Sequence, residues 1–192
     1  MKILLGLALL VVLAAAGVTG VVYGGLIDVA ATATESRPLR WLLATTREHA
    51  IKRRAEGIQV PDLSADHLVA AGASGFDAMC ANCHGAPGRS PFVAANDMSP
   101  PPPRLDRGDA AELDSAERFW VIKHGIRMTG MPAWGRTHSD EEIWDLVAFL
   151  HRLPQMDADT YRRLAYSAVH HHESEAHDDA EIHERGHEGH TH

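Results

Sequence analysis

The chain has 192 residues, of which 45% are hydrophobic and 23% charged, and its formal net charge at pH 7 is −8 with neutral histidines. That acidic balance opposes a nucleic-acid-binding role. Two cysteines leave no second Cys pair for a thiolate zinc site, and no Gly-rich nucleotide loop, Ser-His-Asp set or paired carboxylates can be argued from spacing.

Ile3 to Ile27 holds 25 residues and no charge. That length suffices to cross a bilayer as one helix. A cleaved signal peptide is the alternative, with small residues at Ala14 to Gly17 or Ala30 to Ala33 as cleavage sites. The apolar run exceeds the usual signal core and meets no polar residue suited to cleavage before Asp28, which favours an uncleaved anchor over residues 1–34. Charge says little about orientation, because only Lys2 precedes the span while Arg37 and Arg40 follow it.

Residues 35–59 form a basic connector. Glu35 to Gly57 contains six Lys or Arg against three acids. Ser36 suits a helix cap and Pro38 its first turn. Leu39, Trp41, Leu42, Leu43, Ala50 and Ile51 alternate with Arg47, Lys52, Arg53 and Arg54. Two readings stand side by side. In one the helix packs on the following domain; in the other it lies on anionic headgroups with Trp41 at the water boundary.

Residues 60–168 are of ordinary single-domain size. Helical periodicity predicts a first helix from Ser64 to Ala81, capped by Ser64. A Pro-rich loop follows over Arg89 to Asp109, then a helix from Ser115 to Gly125 that carries Phe119, Trp120 and Ile122. The last long helix spans Ser139 to Leu153. Ser139 and Glu142 make a capping box, and Ile143, Leu146, Val147, Leu150 and Leu153 recur at helical spacing with Phe149 beside them. No strand pattern and no internal repeat is visible, so the fold class is all-α.

The chemistry sits at Cys80-Ala81-Asn82-Cys83-His84. C-x-x-C-H is the attachment signature of c-type haem. Two thiols three positions apart add across the two vinyl groups, and the next residue, His84, reaches the iron. A thioredoxin-like motif would need a βαβ setting, which is absent. Further on, Thr129-Gly130-Met131-Pro132 offers a thioether in a rigid turn, suited to the sixth iron position. Met128 competes with Met131 for that place, and Met98 is a more distant candidate. The predicted metal ligands are therefore His84 and Met131. Haem would complete a small protein core, so folding without it should be poor.

These residues make Ser64 to Leu153 resemble the class I c-type cytochromes, of the membrane-anchored, single-haem bacterial kind. Gly72, Phe76 and Cys80 fall at four-residue steps, as in that family. Leu146, Phe149 and Leu150 match its Leu-x-x-aromatic-Leu pattern. Pro102-Pro103-Arg104-Leu105 matches a Pro-Pro-x-Leu segment found in short bacterial members. The resemblance implies a small helical fold around one covalent haem c. It implies that Gly72 lets two helices cross closely with Phe76 and Phe149 at the crossing. It also implies that a proline carbonyl accepts the Nδ1 proton of His84, without saying which proline. Haem of this type is attached outside the cytoplasmic membrane in bacteria, so the domain is expected on the periplasmic side of a single-pass chain.

Residues 169–192 differ from all this. They contain His170, His171, His172, His177, His183, His187, His190 and His192, with seven acids, one Arg and no Phe, Tyr or Trp. Such a segment cannot bury a core and is expected to be disordered. Its imidazoles and carboxylates suit Cu, Ni or Zn; a merely solvated acidic tail is the plainer reading. With both axial iron positions filled, the expected function is one-electron transfer between redox protein partners at the membrane. A haem enzyme or gas sensor with a displaced methionine is the alternative, as is a metal-handling protein working through the tail.

Overall fold

The computed structural model describes residues 1–33, 36–109 and 112–166. The chain forms two compact units, Met1–Ser36 and Arg37–His192. The first is a single helix, α1 (Lys2–Tyr23), with a mean hydropathy of 2.5 over its most apolar window and none of its residues buried. At 1.5 Å per residue it is about 33 Å long, enough for the ~30 Å hydrocarbon layer of a bilayer. Length and apolarity suit a membrane span and a signal sequence alike.

The second unit contains only helices and turns among its described residues, apart from one β-bridge between Ala86 and Arg89. Helix α2 (Arg37–Ala55) leads, followed by α3 (Asp66–Met79), α4 (Ala81–His84), α5 (Val93–Asn96), α6 (Ser115–His124) and α7 (Asp140–Arg152). A last helix, α8, covers residues 158–166. Three short 3-10 turns, Leu105–Arg107, Trp134–Arg136 and Leu153–Gln155, join them.

The crossing of α3 over α7 organises the core. Gly72 is the reason they can approach. A Cβ placed there would lie 2.0 Å from the backbone oxygen of Asp145 and 2.8 Å from Cβ of Phe149. One turn on, Phe76 and Phe149 are fully buried with ring centroids 5.2 Å apart, tilted by 46°. This is the crossing that the resemblance implies for Gly72, Phe76 and Phe149. Around it Ile143, Leu146, Val147 and Leu153 complete the largest buried side chains. Helix α6 closes the other side of α7, with Phe119 stacked on Trp144 at 4.2 Å.

Several boundaries differ from the sequence expectation. Helix α3 starts after Ala65, not Ser64, and has no side-chain cap. The Ser64 N–H is instead taken by the Asp62 carboxylate at 2.9 Å, so Ser64 belongs to the preceding turn. The helix also stops at Met79 and restarts as α4. Between Arg89 and Asp109 the chain is not all loop, since α5 and the Leu105–Arg107 turn lie there. Helix α6 is capped by Asp114 in a reciprocal box with Glu117, and α7 by the expected Ser139–Glu142 box.

Helix α8 was not anticipated. Asp157 caps it, its carboxylate accepting from the N–H groups of Asp159 and Thr160 at 2.9 and 2.8 Å. It carries Tyr161 into the core, 3% exposed, edge-on to Phe76 at 6.3 Å. The Tyr161 hydroxyl donates to Asp77 at 2.6 Å, and Arg89 pairs with the same carboxylate at 3.1 Å. Burial first, then that hydrogen bond to Asp77, push the Tyr161 phenol well above its ordinary pKa. The phenol therefore stays neutral and keeps its proton on the hydrogen bond.

The connector helix does two things. Ile51 and Ala55, near its C-terminal end, are each 5% exposed, and this end of α2 packs on α6. Leu39, Trp41, Leu42 and Leu43, at the other end, are exposed.

Candidate functional site

One turn of chain carries most of the site. Cys80 ends α3, its N–H donating to the carbonyl of Phe76 at 2.9 Å. The Cys80 carbonyl then accepts from Cys83 at 3.1 Å and from His84 at 2.9 Å. The break at Cys80 thus starts a second turn, α4, which carries Cys83 and His84. Gly85 follows with φ 74, a left-handed value that favours glycine. Its Cβ would collide with the Arg104 guanidinium at 2.7 Å.

Both cysteines are free and half-buried. Burial, reinforced by Cys83, pushes the Cys80 thiol up to about 12. A thiol held protonated is the opposite of the low-pKa thiolate used in disulfide exchange. This agrees with setting aside the thioredoxin-like reading.

His84 Nδ1 lies 2.8 Å from the carbonyl oxygen of Pro103. A carbonyl only accepts, so Nδ1 carries the proton and Nε2 presents a lone pair. Among the prolines from Pro100 to Pro103, the structure selects Pro103. Burial holds the imidazole below its ordinary pKa, although the Pro103 bond acts the other way; the ring is neutral at pH 7. The Pro103 carbonyl is itself well braced. The Arg104 N–H donates to Asp109 at 3.0 Å, and its guanidinium makes a two-pronged pair with Asp106 at 2.8 and 2.7 Å. Arg104 and Asp106 were not singled out from sequence. Their pairing across one intervening residue becomes meaningful only once Arg104 lies over Gly85.

The three methionines that the sequence offers as a second ligand differ in their settings. Met131 is half-buried and packs on the same core as Cys80 and Leu105. Its N–H is taken by the Thr129 hydroxyl at 3.1 Å, which donates in turn to the carbonyl of Ile126 at 2.7 Å. The Ile126 N–H closes the loop onto the Met131 carbonyl at 3.3 Å. Met128 stands apart, 92% exposed with a left-handed φ of 60. Met98 rests against Gly130, where an added Cβ would lie 2.9 Å from its Sδ.

The donor set fits a covalently held haem. It offers two free thiols within one turn, a neutral imidazole with Nε2 available, and a thioether in a loop pinned by Thr129. Among the described residues no cluster of three or more His, Cys, Asp or Glu could hold a separate metal ion. The eight tail histidines from His170 to His192 lie outside the described residues.

Residues 67–150 match the family model described as cytochrome C oxidase, cbb3-type, subunit III. The match runs from the first turn of α3 to the last turn of α7 and takes in Cys80, Cys83, His84 and Met131. No curated protein matches the chain.

Proposed function

With residues 67–150 forming a class I c-type cytochrome domain, a family built for haem-based electron transfer, we propose that this chain is a one-electron carrier tethered to the cytoplasmic membrane by α1. In this reading haem c is bound through Cys80 and Cys83 and ligated by His84 and Met131. When bound, the group supplies reversible one-electron exchange at iron. The protein residues supply everything else. Cys80 and Cys83 hold the group by thioether links, and His84 presents Nε2 while Pro103 fixes its tautomer. Thr129 and Ile126 hold the loop that offers the Met131 sulfur.

The observation that carries this proposal is the His84–Pro103 hydrogen bond at 2.8 Å in the same turn as two free thiols. A neutral imidazole whose far nitrogen is left open, beside two free thiols, is arranged for ligation and covalent attachment. The partners are proposed to be membrane-bound oxidoreductases, in keeping with the oxidase in the family's description. A tether raises the effective concentration of such a carrier beside them. The domain is proposed to face the periplasm.

The ligand assignment is tested by a pair of variants. Met131→Ala should abolish the Met–iron charge-transfer band, open the reduced iron to carbon monoxide, and lower the reduction potential by a measurable part of the ~0.8 V span that axial ligands set. Met128→Ala should leave all three unchanged, because that side chain points into solvent. The reverse pattern would move the role to Met128.

A further inference from the structure

The N-terminal half of α2 presents apolar surface that the fold does not use. Leu39, Leu42 and Leu43 are 43%, 53% and 52% exposed, whereas Ile51 and Ala55 are buried. A helix turns about 100° per residue. The three leucines therefore share one arc of about 100°, and the edge holding Ile51 and Ala55 is centred about 150° from the middle of that arc. Arg40, Arg47 and Arg54 repeat every seven residues and so form one row along the helix, bordering the leucine stripe. Trp41 projects from the far side. Glu48 is the single acid of α2 against six Lys or Arg, and it also lies across the helix from the leucines.

An apolar stripe edged by a row of cations matches a surface that is apolar below and anionic above. Thirteen residues separate Tyr23 from Arg37, a reach of at most about 45 Å. If α1 is anchored as proposed above, on which this inference rests, α2 starts within that reach of the bilayer. We infer that the Leu39–Leu42–Leu43 stripe lies in the anionic headgroup layer of the membrane that α1 crosses, with Arg40 and Arg47 at lipid phosphates. Docking there limits how the haem domain can turn on its tether and presents it to membrane partners in a restricted orientation.

The test uses the full haem-loaded chain, in which Cys80 and Cys83 are both committed to haem, so an added cysteine is the sole free thiol. Leu42→Cys and Glu48→Cys each receive a polarity-sensitive fluorophore. Both are reconstituted into vesicles of phosphatidylcholine alone or of phosphatidylcholine with phosphatidylglycerol, and quenching by nitroxide-labelled lipid is read. With phosphatidylglycerol, the label at position 42 should shift to the blue and be quenched several-fold more than the label at 48. Arg40→Gln with Arg47→Gln should remove most of that difference, as should high salt.

Aqueous labels at both positions would overturn the inference, as would equal quenching at both. So would equal immersion without phosphatidylglycerol, or a signal that grows with protein-to-lipid ratio, which would point to a second copy of the chain. The underlying readings fail separately. A chain that does not float with the vesicles contradicts the anchor, and fluorophore uptake by the unsubstituted chain contradicts covalent attachment.

Discussion

Gly72→Val should leave almost no folded, haem-loaded chain. The Cβ of any larger residue at this position would start 2.0 Å from the Asp145 carbonyl oxygen and 2.6 Å from its carbon. These are backbone atoms of α7, so relief requires α3 and α7 to separate. Separation would part Phe76 from Phe149 and open the most completely buried part of the core. Overpacking typically costs about 1–3 kcal/mol, and occasionally more; a backbone clash places this case at or above the upper end. A domain with a total stability of about 5–15 kcal/mol does not absorb such a loss easily. Gly75→Ala is the matched control on the same helix. There an added Cβ would meet Leu146 Cδ2 at 3.3 Å and Met79 Cε at 3.4 Å, both ends of flexible side chains. Removing a helix-interior glycine there should cost little or gain about 0.5–1 kcal/mol. Thermal unfolding and haem content of the two purified variants check the contrast; near-normal Gly72→Val would mean that the close crossing is not needed.

The second large effect belongs to the thiols. Cys80→Ala with Cys83→Ala should remove all haem that survives denaturing electrophoresis. The helices flanking this turn do not depend on the sulfur atoms, since the local backbone bonds are N–H groups donating to the Phe76, Cys80 and Ala81 carbonyls. A chain that folds around non-covalent haem, ligated by His84, is therefore one outcome, and a haem-free, poorly folded chain is the other. Both lose the covalent link. Haem stain that stays with the double variant would contradict attachment through these residues. Each single variant should keep stain through the remaining thioether, more weakly.

What sequence made visible, and what it did not, follows from how local each signal is. Cys80, Cys83 and His84 lie within one turn, so their spacing alone marked them as a candidate attachment site. Gly72, Phe76 and Phe149 were legible through the family resemblance, which implied their close crossing. The Ser139–Glu142 cap was legible as a capping box at its fixed spacing. The choice of Pro103 was not, because it depends on how a loop nineteen residues downstream folds back on His84. Nor was the Arg104–Asp106–Asp109 brace, which has no periodic signature. Sequence placed Met131 ahead of Met128 by motif, while the physical distinction is conformational. One residue is held inward by the Thr129 hydroxyl and the other is turned out at positive φ. Helix α8 escaped because its short apolar pattern of Tyr161, Leu164 and Ala165 follows a proline-containing turn. The Asp157-Ala158-Asp159-Thr160 cap was the available clue. Of the two readings of α2, the structure bears out packing on the domain for its C-terminal end, where Ile51 and Ala55 are buried, and leaves Leu39, Leu42 and Leu43 exposed.

The central claim is an iron with both axial positions filled by His84 and Met131, exchanging electrons and not binding substrates. The visible spectrum of the purified, reduced chain before and after carbon monoxide tests it most directly. An unchanged six-coordinate spectrum is expected, with a Met–iron charge-transfer band in the oxidised protein that disappears only when Met131 is replaced. Rapid and complete conversion of the unsubstituted protein to a carbon monoxide adduct would contradict it, because an open coordination position would make this chain a ligand-binding haem protein.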